Sequence, residues 1–312
     1  MRSDELDYAL PPELIAQHPA ARRDASRLLV YERATGTVRH RSFADLPGEL
    51  VGELVVVNDT KVVPARLHVK RATGGDAEVL LLEPLGGGVW EALARPSRRL
   101  RAGERLGPVE LLEPLGDGRW SVLLEGEPAG EPPLPPYIRE PLAEPGRYQT
   151  VYAADPGSAA APTAGLHFTP ELLARLDVER VTLHVGLDTF RPLAVDELEQ
   201  HELHGERYRV APEAWARIEA ARRVLAVGTT TVRVLESIAL DGRLEGRTAL
   251  YVLPGFTFRR VDALLTNFHL PRSTLLALVM AFAGVEQARD LYRLAISERY
   301  RFYSFGDAML IL

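Results

Sequence analysis

Residues 223–239 read RVLAVGTTTVRVLESIA, which predicts a buried strand, a turn at Gly228 and a helix that begins at Thr229. The free backbone N–H groups and the dipole of such a helix favour an anion at its first turn. That anion could be a phosphate or a carboxylate, with Arg233 one turn further along the helix. An ordinary strand-to-helix turn with a threonine cap explains the same residues equally well. Both interpretations stay open on local grounds.

The same alternation of strands and helices continues on both sides of this stretch. Valine-rich ELVVVND is typical of a buried strand, and PELLARL is typical of a helix with Thr169 as its N-cap. Further strands are predicted at 180–186, 248–254 and 263–270, and further helices at 212–223, 273–284 and 285–300. Strands that alternate with helices predict a mostly parallel sheet flanked by helices.

A different texture interrupts this pattern between about residues 62 and 131. Short strand candidates are separated there by glycine-rich turns, and EPLGGGVW (83–90) resembles EPLGDGRW (113–120), as two similar hairpins would. We therefore predict an α/β fold with an inserted small antiparallel β-barrel domain. The expected boundaries are 1–62 and 138–312 for the discontinuous α/β domain and 63–137 for the barrel, which ends in a proline-rich connector.

Composition excludes several classes of protein. The chain has 312 residues and no cysteine, so disulfides, thiolate metal sites and a cysteine nucleophile are excluded. It carries no G-x-G-x-x-G, P-loop or G-x-S-x-G motif. The N-terminus lacks a signal-peptide pattern and no apolar run is long enough for a membrane helix, so we expect a soluble, cytoplasmic protein.

Polar residues follow several of the predicted strands. The two asparagines, Asn58 and Asn267, both stand at strand ends, where open α/β sheets bind ligands. Five of the eight histidines lie in the second half, at positions 167, 184, 201, 204 and 269. Several histidines at strand ends predict a polar pocket and an enzyme site. His201 and His204 with Glu206 are a weak metal candidate without an evident further ligand, and we expect no metal.

Arginines concentrate in one segment of the predicted barrel. Arg95, Arg98, Arg99, Arg101 and Arg105 lie close together, although the whole chain has a net charge of −6. The planar guanidinium is suited to phosphate, so this segment is a candidate nucleic-acid contact. A solvated pair of strands is the alternative.

Many ordered segments together resemble one family, the S-adenosylmethionine:tRNA ribosyltransferase-isomerases of queuosine synthesis. They include VVNDTKVVPARL, LPPYI, APTAGLHFT, TLHVGLDTFRP, HELHGERY, VGTTTVRVLES, TNFHLPRSTLLALVMAFAG and YRFYSFGDAM. The chain departs from the family at Asp188, where the family usually has glycine, which leaves the local geometry of that turn open.

The resemblance implies a reaction in which S-adenosylmethionine is consumed as a ribosyl donor, with no further cofactor. The acceptor is the aminomethyl group of 7-aminomethyl-7-deazaguanine at the wobble position of a tRNA with a GUN-type anticodon. The products are epoxyqueuosine-tRNA, adenine and methionine. A base must remove a proton from the 5′ carbon beside the sulfonium, and an acid assists departure of adenine; carboxylates and imidazoles suit both steps.

Under this resemblance the segments quoted above supply the site residues. The candidate catalytic residues, with acid and base unassigned, are Asp59, His167, His184, Glu206 and His269. The candidate substrate-binding residues are Asn58, Arg66, Thr163, Gly165, Phe168, Thr189, Phe190, Gly228, Thr229, Thr230, Arg233 and Asn267. Phe168, Phe190 or Tyr152 would stack on a base.

Three other functions remain as alternatives. An S-adenosylmethionine-dependent RNA methyltransferase would transfer a methyl group and release no adenine. A base-exchanging tRNA transglycosylase would cut the glycosidic bond of the tRNA, and a non-catalytic tRNA-binding protein would need only the basic face. We expect a monomer without a membrane partner.

Overall fold

The computed structural model describes residues 1–186, 195–201, 203 and 205–312, with the side chain of Arg98 excepted. Strands in the described chain are β1 Arg27–Glu32, β2 Thr37–Ser42, β3 Leu54–Asn58, β4 Thr60–Val62, β5 Arg66–Lys70, β6 Asp76–Gly86, β7 Val89–Arg95, β8 Arg105–Leu106, β9 Val109–Gly116, β10 Arg119–Leu124, β11 Asp155–Ser158, β12 Val178–Leu183, β13 Glu206–Arg209, β14 Val224–Val227, β15 Glu245–Thr248, β16 Ala263–Asn267 and β17 Ala308–Ile311. The α-helices are α1 Leu46–Glu49, α2 Pro170–Leu173, α3 Pro212–Ala220, α4 Thr229–Asp241, α5 Thr274–Ala283 and α6 Val285–Ser297.

Nine strands form a mixed sheet in the order β15-β13-β12-β3-β14-β16-β17-β1-β2. The central run β12-β3-β14-β16 is parallel, and β17 also pairs in parallel with β1. Antiparallel pairs flank this run, with β12-β13 and β13-β15 on one side and β16-β17 and β1-β2 on the other. The parallel centre is the part of the fold that the buried valine-rich strands predict.

Both faces of this sheet are covered, which explains why its central strands are apolar throughout. Val56 packs on one face with α4, α5 and α6, whereas its neighbours Val55 and Val57 pack on the other. Phe43 and Phe168 belong to that second face, where short 3₁₀ turns and α2 provide the cover. The side chain of Thr169 caps α2 by accepting from Leu172 N at 3.2 Å, as predicted.

Six further strands form the inserted barrel, in the order β5-β6-β7-β10-β9-β8, with antiparallel pairing throughout. A bridge between Arg71 and Leu106 brings the last strand back to the first, so the barrel is nearly closed. It has its own core, which includes Leu81, Leu111 and Trp120. The two repeated segments are the hairpins β6-β7 and β9-β10, as expected. The fold class is thus confirmed, while the domain boundaries at 62/63 and 137/138 stay a prediction.

The predicted strand at 248–254 is wrong. The strand in this region is β15, Glu245–Thr248, so it ends where the predicted strand would begin. Arg233 donates to the carbonyls of Thr248 and Leu250, both at 3.0 Å. A side chain thus takes the acceptors that a neighbouring strand would have used.

Candidate active site

Two adjoining cavities lie where the central parallel strands end. The larger one, of about 390 Å³, lies between the barrel and the sheet, with Leu93 and Arg119 on one side and His184 on the other. The smaller one, of about 60 Å³, lies at the start of α4. Val185 and Leu275 line both cavities, so the two are neighbours.

The strand-to-helix turn predicted from the sequence forms the floor of the smaller cavity. Gly228, Thr229 and Thr230 line it, and α4 begins at Thr229. Gly228 has φ of +86°, while a Cβ there would meet Ala164 at an ordinary 3.6 Å. The glycine is therefore required for its backbone angle rather than for space. The turn directs the first N–H groups of a thirteen-residue helix at the cavity.

Asn267 enters the smaller cavity from the end of β16 and is only 2% exposed. Its Nδ2 donates to the Tyr303 carbonyl at 3.1 Å, and lies 3.2 Å from His167 Nε2 and 3.4 Å from the Asp307 carbonyl. Its Oδ1 is buried and has no hydrogen-bond partner among the described residues. A buried acceptor without a partner is costly, so a donor group that reached this atom would remove that cost.

His167 lies behind Asn267 and lines neither of the two cavities. Its ring stacks on Phe43, with centroids 4.9 Å apart, and its Nδ1 lies 2.7 Å from Ser26 Oγ. Burial lowers the pKa of His167 to about 3, so the imidazole is neutral at pH 7. Because Nε2 accepts from Asn267, Nδ1 carries the proton and donates to Ser26. Both ring nitrogens are thus occupied by protein partners.

His184 lies at the end of β12 and lines the larger cavity. Its Nδ1 is 2.9 Å from Thr60 Oγ1, and its Nε2 is 3.9 Å from Asp155 Oδ1. Burial lowers the pKa of His184, and the nearby Asp155 carboxylate opposes that shift. Gly157 leaves room for the ring, since a Cβ there would come within 3.1 Å of it. The result is a neutral imidazole held beside a carboxylate, an arrangement suited to accepting a proton.

Glu206 and Arg233 line the larger cavity as an ion pair, and each side chain is 10% exposed. Glu206 also accepts from Gly186 N at 2.9 Å. Arg233 also donates hydrogen bonds to the carbonyls of Thr248 in β15 and of Leu250 after it. Arg233 lines the larger cavity and does not line the smaller one at the α4 turn.

His269 and Thr163 both line the smaller cavity. His269 Nε2 lies 2.7 Å from Thr266 Oγ1, and burial lowers the pKa of His269 to about 3. Its backbone N–H donates to the Tyr292 hydroxyl at 2.9 Å. His269 is therefore an uncharged part of the wall.

Asn58 and Asp59 line neither cavity. Asn58 is fully buried, and its amide bonds both the N–H and the carbonyl of Leu183 at 3.0 Å, Thr60 N at 3.2 Å and Thr230 Oγ1 at 3.3 Å. It ties β3 to β12 and to the first turn of α4. Asp59 accepts from the Thr182 hydroxyl at 2.7 Å, and burial raises the pKa of Asp59.

Three other predicted binding residues also lie outside the cavities. Phe168 is fully buried and packs edge-on against Phe43 and Tyr152 as part of the core. Gly165 faces Tyr152, because a Cβ there would overlap the tyrosine hydroxyl. Arg66 is the first residue of β5 in the barrel and bridges to Glu131.

Some predictions fall outside the described residues. These are Thr189 and Phe190 as substrate-binding residues, Asp188 as the family departure, and His204 in the weak metal candidate. Among the residues that are described, no group of three His, Asp or Glu side chains is placed to hold a metal ion. No helix in the described ranges is long and apolar enough to cross a membrane.

Sequence reasoning missed part of the wall. Tyr137 and Ser304 line the smaller cavity, and their hydroxyls lie 2.7 Å apart. Both belong to segments that carry the resemblance, LPPYI and YRFYSFGDAM, but no strand end or helix start marks them. The barrel residues Leu93 and Arg119 gave no signal, because a local pattern cannot show which side of a barrel faces a sheet.

Fold and cavities together define an α/β protein with two adjoining cavities at the carboxyl ends of parallel strands and a barrel as one wall of the larger one. The chain belongs to the queuosine biosynthesis protein family, whose profile matches residues 3–311.

Curated relatives cover the full length of the chain. The S-adenosylmethionine:tRNA ribosyltransferase-isomerase of Rubrobacter xylanophilus is 54% identical, over 100% of this chain and 98% of that protein. The enzyme of the same name from Thermotoga maritima is 48% identical over 100% of both chains. The crystal structure of S-adenosylmethionine tRNA ribosyltransferase from Thermotoga maritima matches 99% of this chain and 100% of that one, with 40% identity and a TM-score of 0.59.

Proposed function

We propose that this protein is an S-adenosylmethionine:tRNA ribosyltransferase-isomerase. It transfers and isomerises the ribosyl group of S-adenosylmethionine onto 7-aminomethyl-7-deazaguanine in tRNA and releases adenine and methionine. Full-length relatives of that name support the reaction. The observation that carries the proposal is the pair of adjoining cavities, one large and one small, at the ends of the parallel strands.

The two cavities suit the two ends of S-adenosylmethionine. The larger, at about 390 Å³, has room for a nucleoside together with part of the acceptor base. The smaller presents the first N–H groups of α4, which favour a carboxylate. We assign the methionyl carboxylate to Thr229 and Thr230 there. Arg233 does not share this role, because it is paired with Glu206.

His184 is the residue we assign to proton removal from the 5′ carbon. It is neutral, lines the larger cavity and has the Asp155 carboxylate near its Nε2 to stabilise the imidazolium that forms. Glu206 is less suited, because its two oxygens already accept from Arg233 and Gly186. His167 and His269 are buried and bonded to protein partners, and Asp59 lines neither cavity. The catalytic role of these three residues stays a prediction, and we assign none of them a step in the reaction.

The arginine segment of the barrel is our proposed contact for the tRNA. Arg99 and Arg101 are exposed, and the turn at Ser97 packs near Gly118, beside the cavity residue Arg119. Phosphates of an anticodon stem would then lie next to the cavity that receives the base. Arg105 is already paired with Glu125. A monomer in the cytoplasm remains our expectation.

One incubation tests the proposal. Purified protein is mixed with S-adenosylmethionine and tRNA that carries 7-aminomethyl-7-deazaguanine; nucleoside masses and free adenine are followed together. We expect an epoxyqueuosine mass with equal amounts of adenine and methionine. A methyl gain without adenine would identify a methyltransferase, and bound but unchanged tRNA would identify a binding protein. Either result would reject the proposal.

A further inference from the structure

The smaller cavity contains an acceptor that the proposed carboxylate site does not use. Asn267 Oδ1 is buried and has no hydrogen-bond partner among the described residues, although the residue lines the cavity. The amide orientation is fixed by its other end, since Nδ2 faces two backbone carbonyls and a neutral imidazole. With Nδ2 committed on that side, Oδ1 is the polar atom left for the cavity. It calls for a ligand with an N–H or O–H donor.

The charge of the cavity indicates which donor this is. Its described lining residues include no Asp, Glu, Lys or Arg, and His269 is uncharged. The first turn of α4 favours a negative group, and the Asn267 oxygen favours a positive one. A group that carries both charges and is neutral overall fits these two features without leaving a net charge buried.

The size of the cavity agrees with such a group. At about 10–15 Å³ for each water-sized occupant, 60 Å³ holds about four to six heavy atoms. An α-amino-carboxylate group has about that many atoms, whereas a purine would not fit.

We propose that the smaller cavity binds the α-ammonium of the donor's methionyl end through Asn267 Oδ1, and that Ser26 and His167 position this amide. The inference rests on the proposed function, because that function supplies a donor with a methionyl end. His167 is then a positioning residue that acts through Asn267. It donates to Ser26, which in turn donates to the Arg23 carbonyl at 3.4 Å, so the ring and the amide behind it are held in one orientation.

The test compares two ligands that differ in one group. Calorimetry measures binding of S-adenosylhomocysteine and of its analogue in which hydrogen replaces the α-amino group. The natural protein should bind the amine-bearing ligand about 10- to 100-fold more tightly, the range of a hydrogen bond to a charged group. Asn267→Ala should remove most of that preference and leave the affinity for the desamino ligand within about threefold.

Two further variants separate binding from folding. Asn58→Ala is the matched control. Asn58 is also a buried asparagine at the end of a strand of the same sheet, but its amide is already bonded to protein groups. It should shift both affinities equally and keep the preference. His167→Phe retains packing on Phe43 and the Asn267 amide itself, and should lower the preference by about 2- to 10-fold. Circular dichroism confirms that each variant is folded.

Two outcomes overturn the amine site: no preference for the amine-bearing ligand in the natural protein, or equal weakening of both ligands by Asn267→Ala. An unchanged preference in the His167→Phe variant overturns the positioning role of His167. Turnover of the natural protein is measured in parallel. If adenine is released but no amine preference is found, the inference fails and the proposed function stands. If the preference is found but no modified tRNA forms, the proposed function fails and the amine site stands.

Discussion

The sequence predicts that Arg233 binds substrate, whereas the structure pairs it with Glu206. Replacing Arg233 by methionine tests whether this ion pair stabilises the fold. The substitution removes the Arg233 guanidinium from the Glu206 carboxylate, whose side chain is 10% exposed. It also removes the donor to the carbonyls of Thr248 and Leu250. Removing one partner of a buried ion pair costs about 3–5 kcal/mol. We expect Arg233→Met to lower the free energy of unfolding by that amount.

A second substitution should recover part of the loss. Glu206→Gln alone removes the carboxylate charge but keeps an oxygen that can accept a hydrogen bond from Arg233. It should lower the free energy of unfolding by about 1–2 kcal/mol. In the double variant neither member of this pair carries a charge, so it should be about 2 kcal/mol more stable than Arg233→Met alone.

Urea unfolding followed by the helical circular dichroism signal measures these differences. All six described helices lie outside the barrel, so the signal reports the α/β part. Arg293→Met is the control: this arginine and its partner Asp290 are 74% and 69% exposed, and its loss should cost at most about 1 kcal/mol. A loss below about 1 kcal/mol for Arg233→Met, or a double variant no more stable than it, would refute the buried-pair account and return Arg233 to ligand binding.

Three other predictions concern catalysis, acid stability and RNA binding. His184→Ala should lower kcat by about 100- to 10,000-fold with little change in S-adenosylmethionine affinity; unchanged kcat in single-turnover assays would exclude it as the base. His167 has a folded pKa of about 3, below the unfolded value, so the unfolded chain binds the extra proton and stability falls as pH drops from about 6.5 toward 3. The resulting loss in the free energy of unfolding at pH 5 is about 2 kcal/mol. Urea titrations at several pH values should show that the His167→Phe variant lacks this part of the loss. Arg99→Glu and Arg101→Glu should each weaken tRNA binding and reduce its salt dependence by about one ion, while Arg293→Glu should not; equal effects of all three in filter binding would contradict a local contact.

Local sequence determined the parts of the fold that depend on short-range geometry. Gly228 followed by three threonines predicts a strand, a turn and a helix because only glycine readily takes the positive φ needed there. Thr169 and Pro170 mark the start of α2, and the two glycine-rich repeats mark the barrel hairpins. Alternating packing of Val55 and Val56 on opposite faces follows from the two-residue period of a strand. The resemblance carried by the ordered motifs likewise needed no structure to reach the right family.

Tertiary structure alone decided which of these side chains meet. Phe168 lies in the segment APTAGLHFT, for which the resemblance suggests a stacking role, yet it fills the core. Sequence position does not reveal which face a side chain takes. Arg233 is one turn from the α4 start, but its side chain reaches Glu206 on β13. The unpartnered oxygen of Asn267 is visible only once His167, Tyr303 and Asp307 surround the other end of the amide. Burial and pairing are long-range properties: they depend on which strands become neighbours, and no local pattern carries that information.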